Sequence, residues 1–169
     1  MSKIYVDEIA GIASPSTISI PGHVIQVVSD TLTTQETISV GTNGVYYDTS
    51  LSLNITPTST TSKILLMVNV GGAGGSADIL FRLYRDSTPL DGTGSTSYSA
   101  TMAVRNNGAE LLQGTPSMTY LDSPATTSQI TYSLKISATS NSTTIKINDR
   151  AVSAAFCTVS SITAMEIAG

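Results

Sequence analysis

The chain has 169 residues, of which eight are Lys or Arg and twelve are Asp or Glu, and its formal net charge is −4. This length fits one domain, and the acidic balance excludes nucleic acid from the expected partners, because binding to phosphates needs a basic surface. Charged residues are only 12% of the chain and the mean hydropathy is +0.17, so intrinsic disorder is excluded as well. No apolar stretch is long enough to span a bilayer, and we expect no membrane insertion.

Residues 1–21 show no regular alternation and are predicted to form an extended N-terminal arm that docks onto the same subunit, a neighbouring copy or a partner. Pro15 and Pro21 interrupt the segment. It is nonetheless too rich in aliphatic residues for a solvated tail: Ile4, Val6, Ile9, Ile12, Ile18 and Ile20. A disordered tail, which is frequent at chain ends, is the alternative. Asp7 and Glu8 interrupt the apolar run near the start, so we expect no secretory signal.

Alternation with a period of two predicts strands along the rest of the chain, because successive side chains of a strand point to opposite faces. Residues 45–55, 79–84, 98–104, 130–138 and 145–147 follow this pattern, and residues 159–167 have the composition of a last strand. Residues 24–28 and 64–70 are apolar at both parities, which is typical of strands covered on both faces. We therefore predict that residues 22–169 form a single antiparallel β-sandwich knob of about eight to ten strands.

Glycine-rich and polar segments between the predicted strands are the candidate contact loops. The run of glycines at 71–75 is interpreted as a hairpin loop that separates two strands. Residues 91–97 are rich in Gly, Ser and Thr and are followed by an aromatic residue. We expect host-contact loops at these two places, with Gly72, Gly74, Asp91, Thr96 and Tyr98 as their candidate residues.

The residues that carry enzymatic chemistry are scarce, and we expect neither an active site nor a cofactor. His23 is the only histidine, so a histidine-based metal site is excluded, and we interpret it as a residue at the head of a strand. No nucleophile elbow and no phosphate-binding loop motif occur. The single cysteine, Cys157, cannot form an intrachain disulfide and is interpreted as a small buried apolar residue.

Six segments together resemble small structural proteins of tailed bacteriophages that infect aquatic and marine bacteria, cyanophages included. The segments are KIYVDEIA at 3–10, IPGHVIQVV at 20–28, SKIL at 62–65, LYRDS at 83–87, TYLDSP at 119–124 and ITAMEIAG at 162–169. Such proteins are described as tail fibre, head fibre or virion structural proteins. The resemblance spans most of the chain and implies a trimeric β-rich knob of jelly-roll type, assembled in the host cytoplasm and located on the virion. Its expected partners are copies of itself, other capsid or tail proteins, and a glycan or protein of the host surface.

Three functions stay open from the sequence. The first is a fibre or spike component that contributes to host attachment through many weak contacts. The second is a capsid decoration protein that stabilises the phage head and uses the N-terminal arm as a clamp; the absence of a shaft repeat is compatible with it. The third is a carbohydrate-binding, lectin-like module, although the chain has no Trp for a sugar platform.

Overall fold

The computed structural model describes residues 21–90, 98–105, 114–149 and 157–169. Within these ranges the chain contains no helix and forms twelve antiparallel strands in three sheets. The strands are β1 (Val24–Leu32), β2 (Glu36–Val40), β3 (Tyr47–Ile55), β4 (Lys63–Asn69), β5 (Ala73–Gly75), β6 (Ile79–Arg85), β7 (Thr88–Pro89), β8 (Met102–Val104), β9 (Ser117–Asp122), β10 (Ile130–Ala138), β11 (Thr143–Ile147) and β12 (Ser160–Ile167). The all-β prediction is confirmed. The predicted number of strands is too low, because β5 and β7 are too short to show a period and β2 and β9 were missed. Strand β8 lies within the strand predicted at 98–104.

Two larger sheets supply most of the interior, and a third, smaller sheet adds to it. Sheet I has the strand order β1-β12-β4-β9, and sheet II has the order β3-β10-β6-β7, with β8 paired to β6 as well. Sheet III has the order β2-β11-β5. Side chains from all three sheets belong to one buried apolar cluster, so the sheets share a single core in a sandwich-like arrangement.

The alternating residues of the sequence explain which side of each strand faces this core. On β10, Ile130, Tyr132, Leu134 and Ile136 are buried while the residues between them are partly exposed. On β3, Leu51, Leu53 and Ile55 are buried, and the intervening Ser52 and Asn54 are exposed. A one-residue slip of either strand would turn its whole apolar set to solvent, and burial therefore specifies the register.

The glycine-rich segment at 71–75 is not a hairpin loop, and this prediction is wrong. Ala73–Gly75 form strand β5, which pairs with Ile145–Ile147 of β11. A Cβ added at Gly75 would lie 3.2 Å from the carbonyl oxygen of Thr144. Glycine is suited to this place because it allows one backbone to approach another closely.

The prediction of a buried Cys157 is also wrong, because its side chain is exposed. Cys157 precedes β12, which begins only at Ser160, so it lies outside the alternating pattern that buries every second residue of that strand. Its Sγ lies 3.4 Å from the carbonyl oxygen of Thr33. The apolar neighbours of Cys157 in the sequence do not determine its burial.

Candidate interaction surfaces

The outer face of sheet I carries a row of apolar side chains that no described part of the chain covers. The strand registers align Val27 with Met165, Met165 with Leu65, and Leu65 with Leu121. Val27 is 55% exposed and Leu121 is 50% exposed at the two edges, and the two central residues are half-buried. We call these four residues the apolar row. An aligned row that crosses a whole sheet differs from scattered surface residues, which need no explanation.

The next two rows on the same face are rich in hydroxyl groups. They align Ser29, Thr163, Met67 and Thr119, and then Thr31, Ser161, Asn69 and Ser117. Met67 is exposed between these groups, and an open depression of about 460 Å³ lies beside it. Among the described strand residues on this face, Lys63 is the charged one. Low charge at the centre of a patch is typical of protein interfaces.

The outer face of sheet II has a different character, because it combines tyrosines with charged side chains. The registers place Asp48, Lys135 and Arg82 side by side on three adjacent strands. Lys135 Nζ lies 2.8 Å from Asp48 Oδ1 and 4.8 Å from the centre of the Tyr84 ring. The guanidinium carbon of Arg82 lies 4.2 Å from the centre of the Tyr46 ring. Such contacts hold charged groups against aromatic rings, so these side chains lose little conformational freedom when the surface binds a ligand.

Tyr98 borders this second surface and is 43% exposed. Its hydroxyl accepts a hydrogen bond of 3.0 Å from Asn43 Nδ2. The carbonyl oxygen of the next residue, Ser99, accepts hydrogen bonds from the Tyr46 hydroxyl and, at 2.6 Å, from Arg82 Nη2. These bonds hold Tyr98 beside the charged row. We call Tyr46, Tyr84, Tyr98, Arg82, Lys135 and Asp48 the tyrosine surface.

The structure describes three of the five candidate host-contact residues: Gly72, Gly74 and Tyr98. Gly72 and Gly74 are both buried and do not belong to an exposed loop. Gly74 lies in strand β5, and Gly72 directly precedes that strand. Tyr98 is exposed, as a contact residue must be. Asp91 and Thr96 lie outside the described residues, and so do all six aliphatic residues proposed for docking of the arm.

The strongly perturbed ionisable groups of the described chain lie in the interior and serve the fold. Burial, together with a hydrogen bond to Asp122, raises the pKa of Tyr132 well above its ordinary value. Burial would also raise the pKa of Glu166, but hydrogen bonds from Gln26 and Thr58 outweigh it and leave that pKa below its usual range. Within the described ranges, no group of three or more His, Cys, Asp and Glu could hold a metal ion.

None of the described residues belongs to a helix that is long and apolar enough to cross a membrane. No protein-family model and no curated protein matches this chain.

Sequence reasoning found only part of the two surfaces. The apolar character of 24–28 and 64–70 at both parities indicated that two strands of sheet I need cover on both faces, and the apolar row contains one residue from each. Leu121 was missed because β9 has no clean apolar alternation. The tyrosine surface was missed, apart from Tyr98, because its members lie on separate strands and loops and only strand pairing brings them together.

Proposed function

We propose that the chain is a non-enzymatic structural protein of a tailed bacteriophage particle. In this proposal residues 22–169 form a trimeric knob of jelly-roll type that is displayed on the virion and attached through residues 1–21. The knob is a component of a tail fibre, head fibre or spike and contributes to host attachment. The resemblance of six segments to virion proteins supports a place on the phage particle. The exposed apolar row supports the association of copies into a trimer.

The apolar row is the observation from which we infer that copies of the chain associate. Burying apolar surface stabilises an assembly by about 25 cal/mol per Å², and one copy of the described chain leaves this row in water. The face is uncharged at its centre and carries a shallow depression beside Met67, into which a side chain of a neighbouring copy can insert. We infer that sheet I faces the axis of the trimer and that sheet II faces outward.

The oligomer is tested by measuring the mass in solution by sedimentation. The expected result is a particle of three times the 17.5 kDa chain mass at micromolar concentration. Leu121→Lys places a charge in the buried contact and should yield monomers. Ser52→Lys, at an exposed position on the outer face of sheet II, is the matched control and should remain trimeric. A monomeric wild-type chain would refute the assembly.

The place on the particle is tested by antibody labelling of virions and electron microscopy. Label at the tail or on projecting fibres is expected for an attachment protein. Binding of the protein to particles is expected to need residues 1–20, and a variant without them should remain in the supernatant. Virions that carry no label would contradict the proposal as a whole.

A capsid decoration protein is the second candidate, because the chain has no shaft repeat of its own. It predicts label distributed over the shell, and capsids without the protein should break at a lower temperature. Unchanged resistance of the capsid to heat, with reduced adsorption to host cells, would favour the attachment role.

A further inference from the structure

We propose that the tyrosine surface binds neutral glycans of the host envelope. The inference rests on the proposed function, because attachment needs a receptor and an inward-facing sheet I leaves the outer face of sheet II as the side presented to the cell. To the proposed attachment function, this inference adds where the ligand binds and the chemical class of that ligand. Three copies of this surface on each knob would combine weak sites into one strong attachment.

Aromatic side chains are concentrated on this face, where Tyr98 is exposed and Tyr46 and Tyr84 are partly buried. The chain has seven tyrosines, and Tyr46, Tyr84 and Tyr98 belong to this one surface. The ring centres of Tyr46 and Tyr84 are 6.4 Å apart, and the rings are tilted by 58°. Amphipathic rings suit pyranoses, because the apolar side of the sugar packs on the ring while hydroxyl groups stay in reach of polar partners.

Hydrogen-bonding groups lie beside these rings. Asp48 has a side chain that is 79% exposed, and its carboxylate lies against the Lys135 ammonium. A carboxylate acceptor next to an ammonium donor matches two neighbouring sugar hydroxyls, each of which both donates and accepts. The Asp48 carboxylate is paired with the Lys135 ammonium, and the Arg82 guanidinium is held by the Ser99 carbonyl and the Tyr46 ring. Because these charges already have partners within the protein, the surface fits a neutral ligand better than an acidic one.

Contacts within the protein already hold the tyrosine surface in place. Arg82 packs on the Tyr46 ring and hydrogen-bonds the Ser99 carbonyl, and Asn43 anchors the Tyr98 hydroxyl. The side chains therefore lose little freedom when a ligand binds, which removes one of the main costs of binding.

Binding is tested on the intact protein with immobilised mannan, dextran and arabinogalactan as neutral probes and alginate as the anionic probe. We expect saturable binding to at least one neutral probe and weaker binding to alginate. Tyr98→Ala and Asp48→Ala should each weaken that binding at least tenfold, whereas Tyr98→Phe, which keeps the ring, should retain most of it. Val159→Ala changes another exposed apolar residue and is the matched control.

The outcome is read together with thermal unfolding and the mass in solution, so that a folding defect is not taken for lost binding. No binding to any neutral probe, a preference for alginate, or equal binding by wild type and Tyr98→Ala would overturn the inference. Failure of the proposed function has a different signature, since a monomer or an unlabelled virion leaves glycan binding by the isolated chain measurable. A trimer on the virion that binds no neutral probe refutes only the glycan site.

Discussion

Tyr132 of β10 donates a 2.6 Å hydrogen bond to Asp122 of β9, and this bond links sheet II to sheet I inside the protein. Arg85 of β6 binds the same carboxylate, with Nη1 2.9 Å from Oδ1 and 2.8 Å from Oδ2. Both partners of Asp122 are on sheet II. The two sheets are therefore joined by a charged hydrogen-bond network as well as by apolar packing.

Replacing the shared carboxylate should destabilise the fold strongly. Asp122→Ala leaves the Tyr132 hydroxyl and the Arg85 guanidinium without this partner, and we expect a loss of about 3 kcal/mol in the free energy of unfolding. Tyr132→Phe removes one hydrogen bond and retains the ion pair, so about 1 kcal/mol is expected. Urea unfolding followed by fluorescence measures both. Equal losses for the two variants would contradict the shared role of Asp122.

The lowered pKa of Glu166 predicts that the protein loses stability in acid. Its pKa is lowered in the folded protein, so the carboxylate stabilises the fold above its unfolded pKa of about 4.3, and this contribution is lost as the pH falls through the folded value. The free energy of unfolding, measured between pH 7 and pH 2, should therefore fall at the acid end. Glu166→Gln should flatten this dependence.

A second variant tests the cause of that lowered pKa. Thr58→Val removes the hydroxyl that donates to Glu166 Oε1 at 2.7 Å and leaves the backbone N–H of residue 58 in place. The pKa of Glu166 should rise, and the acid transition should move to higher pH. An unchanged transition would show that the hydroxyl does not contribute.

Gly71 should tolerate no side chain, because a neighbouring segment passes too close. A Cβ at this position would lie 2.2 Å from the carbonyl oxygen of Val159, and backbone cannot move aside as a flexible side chain can. We expect Gly71→Ala to cost about 3 kcal/mol in the free energy of unfolding. Gly41→Ala is the control, since its Cβ would meet only the Tyr47 hydroxyl, at 3.4 Å. Similar thermal stability of the two variants would contradict the expectation.

Asn148 directly follows β11 and joins the end of β1 to the start of β12. Its Nδ2 donates to the carbonyl oxygens of Leu32 and Thr34 at 2.7 and 3.0 Å, and its Oδ1 accepts from the Ser160 hydroxyl at 2.6 Å. Its φ of 59° lies in the left-handed region, which Asn and Gly adopt more readily than Ala.

Two substitutions separate these contributions of Asn148. Asn148→Gly loses the hydrogen bonds but accepts the φ angle, whereas Asn148→Ala loses the bonds and adds backbone strain. Both should destabilise the protein, and Asn148→Ala by about 1 kcal/mol more. Calorimetric unfolding measures the difference. An alanine variant at least as stable as the glycine variant would show that strain is absent.

Sequence reasoning located the strands that have a period of two, those that are apolar at both parities, and the last strand from its composition. The buried set on β10 could be read directly, because alternation is a local property of the chain. Strand β5 could not, because a run of Gly and Ala carries no hydrophobic period and is usually a loop signal. It becomes a strand because β11 offers it backbone partners.

The sequence by itself determined the all-β class and the apolar parity of the main strands, since both follow from the chemistry of residues close together in the chain. Only the tertiary structure decided that Val27, Met165, Leu65 and Leu121 form one row and that Tyr46 lies over Arg82. Both groupings depend on which strands are neighbours and in what register. That choice is made by burial and hydrogen bonding between segments far apart in the sequence, which no local pattern records.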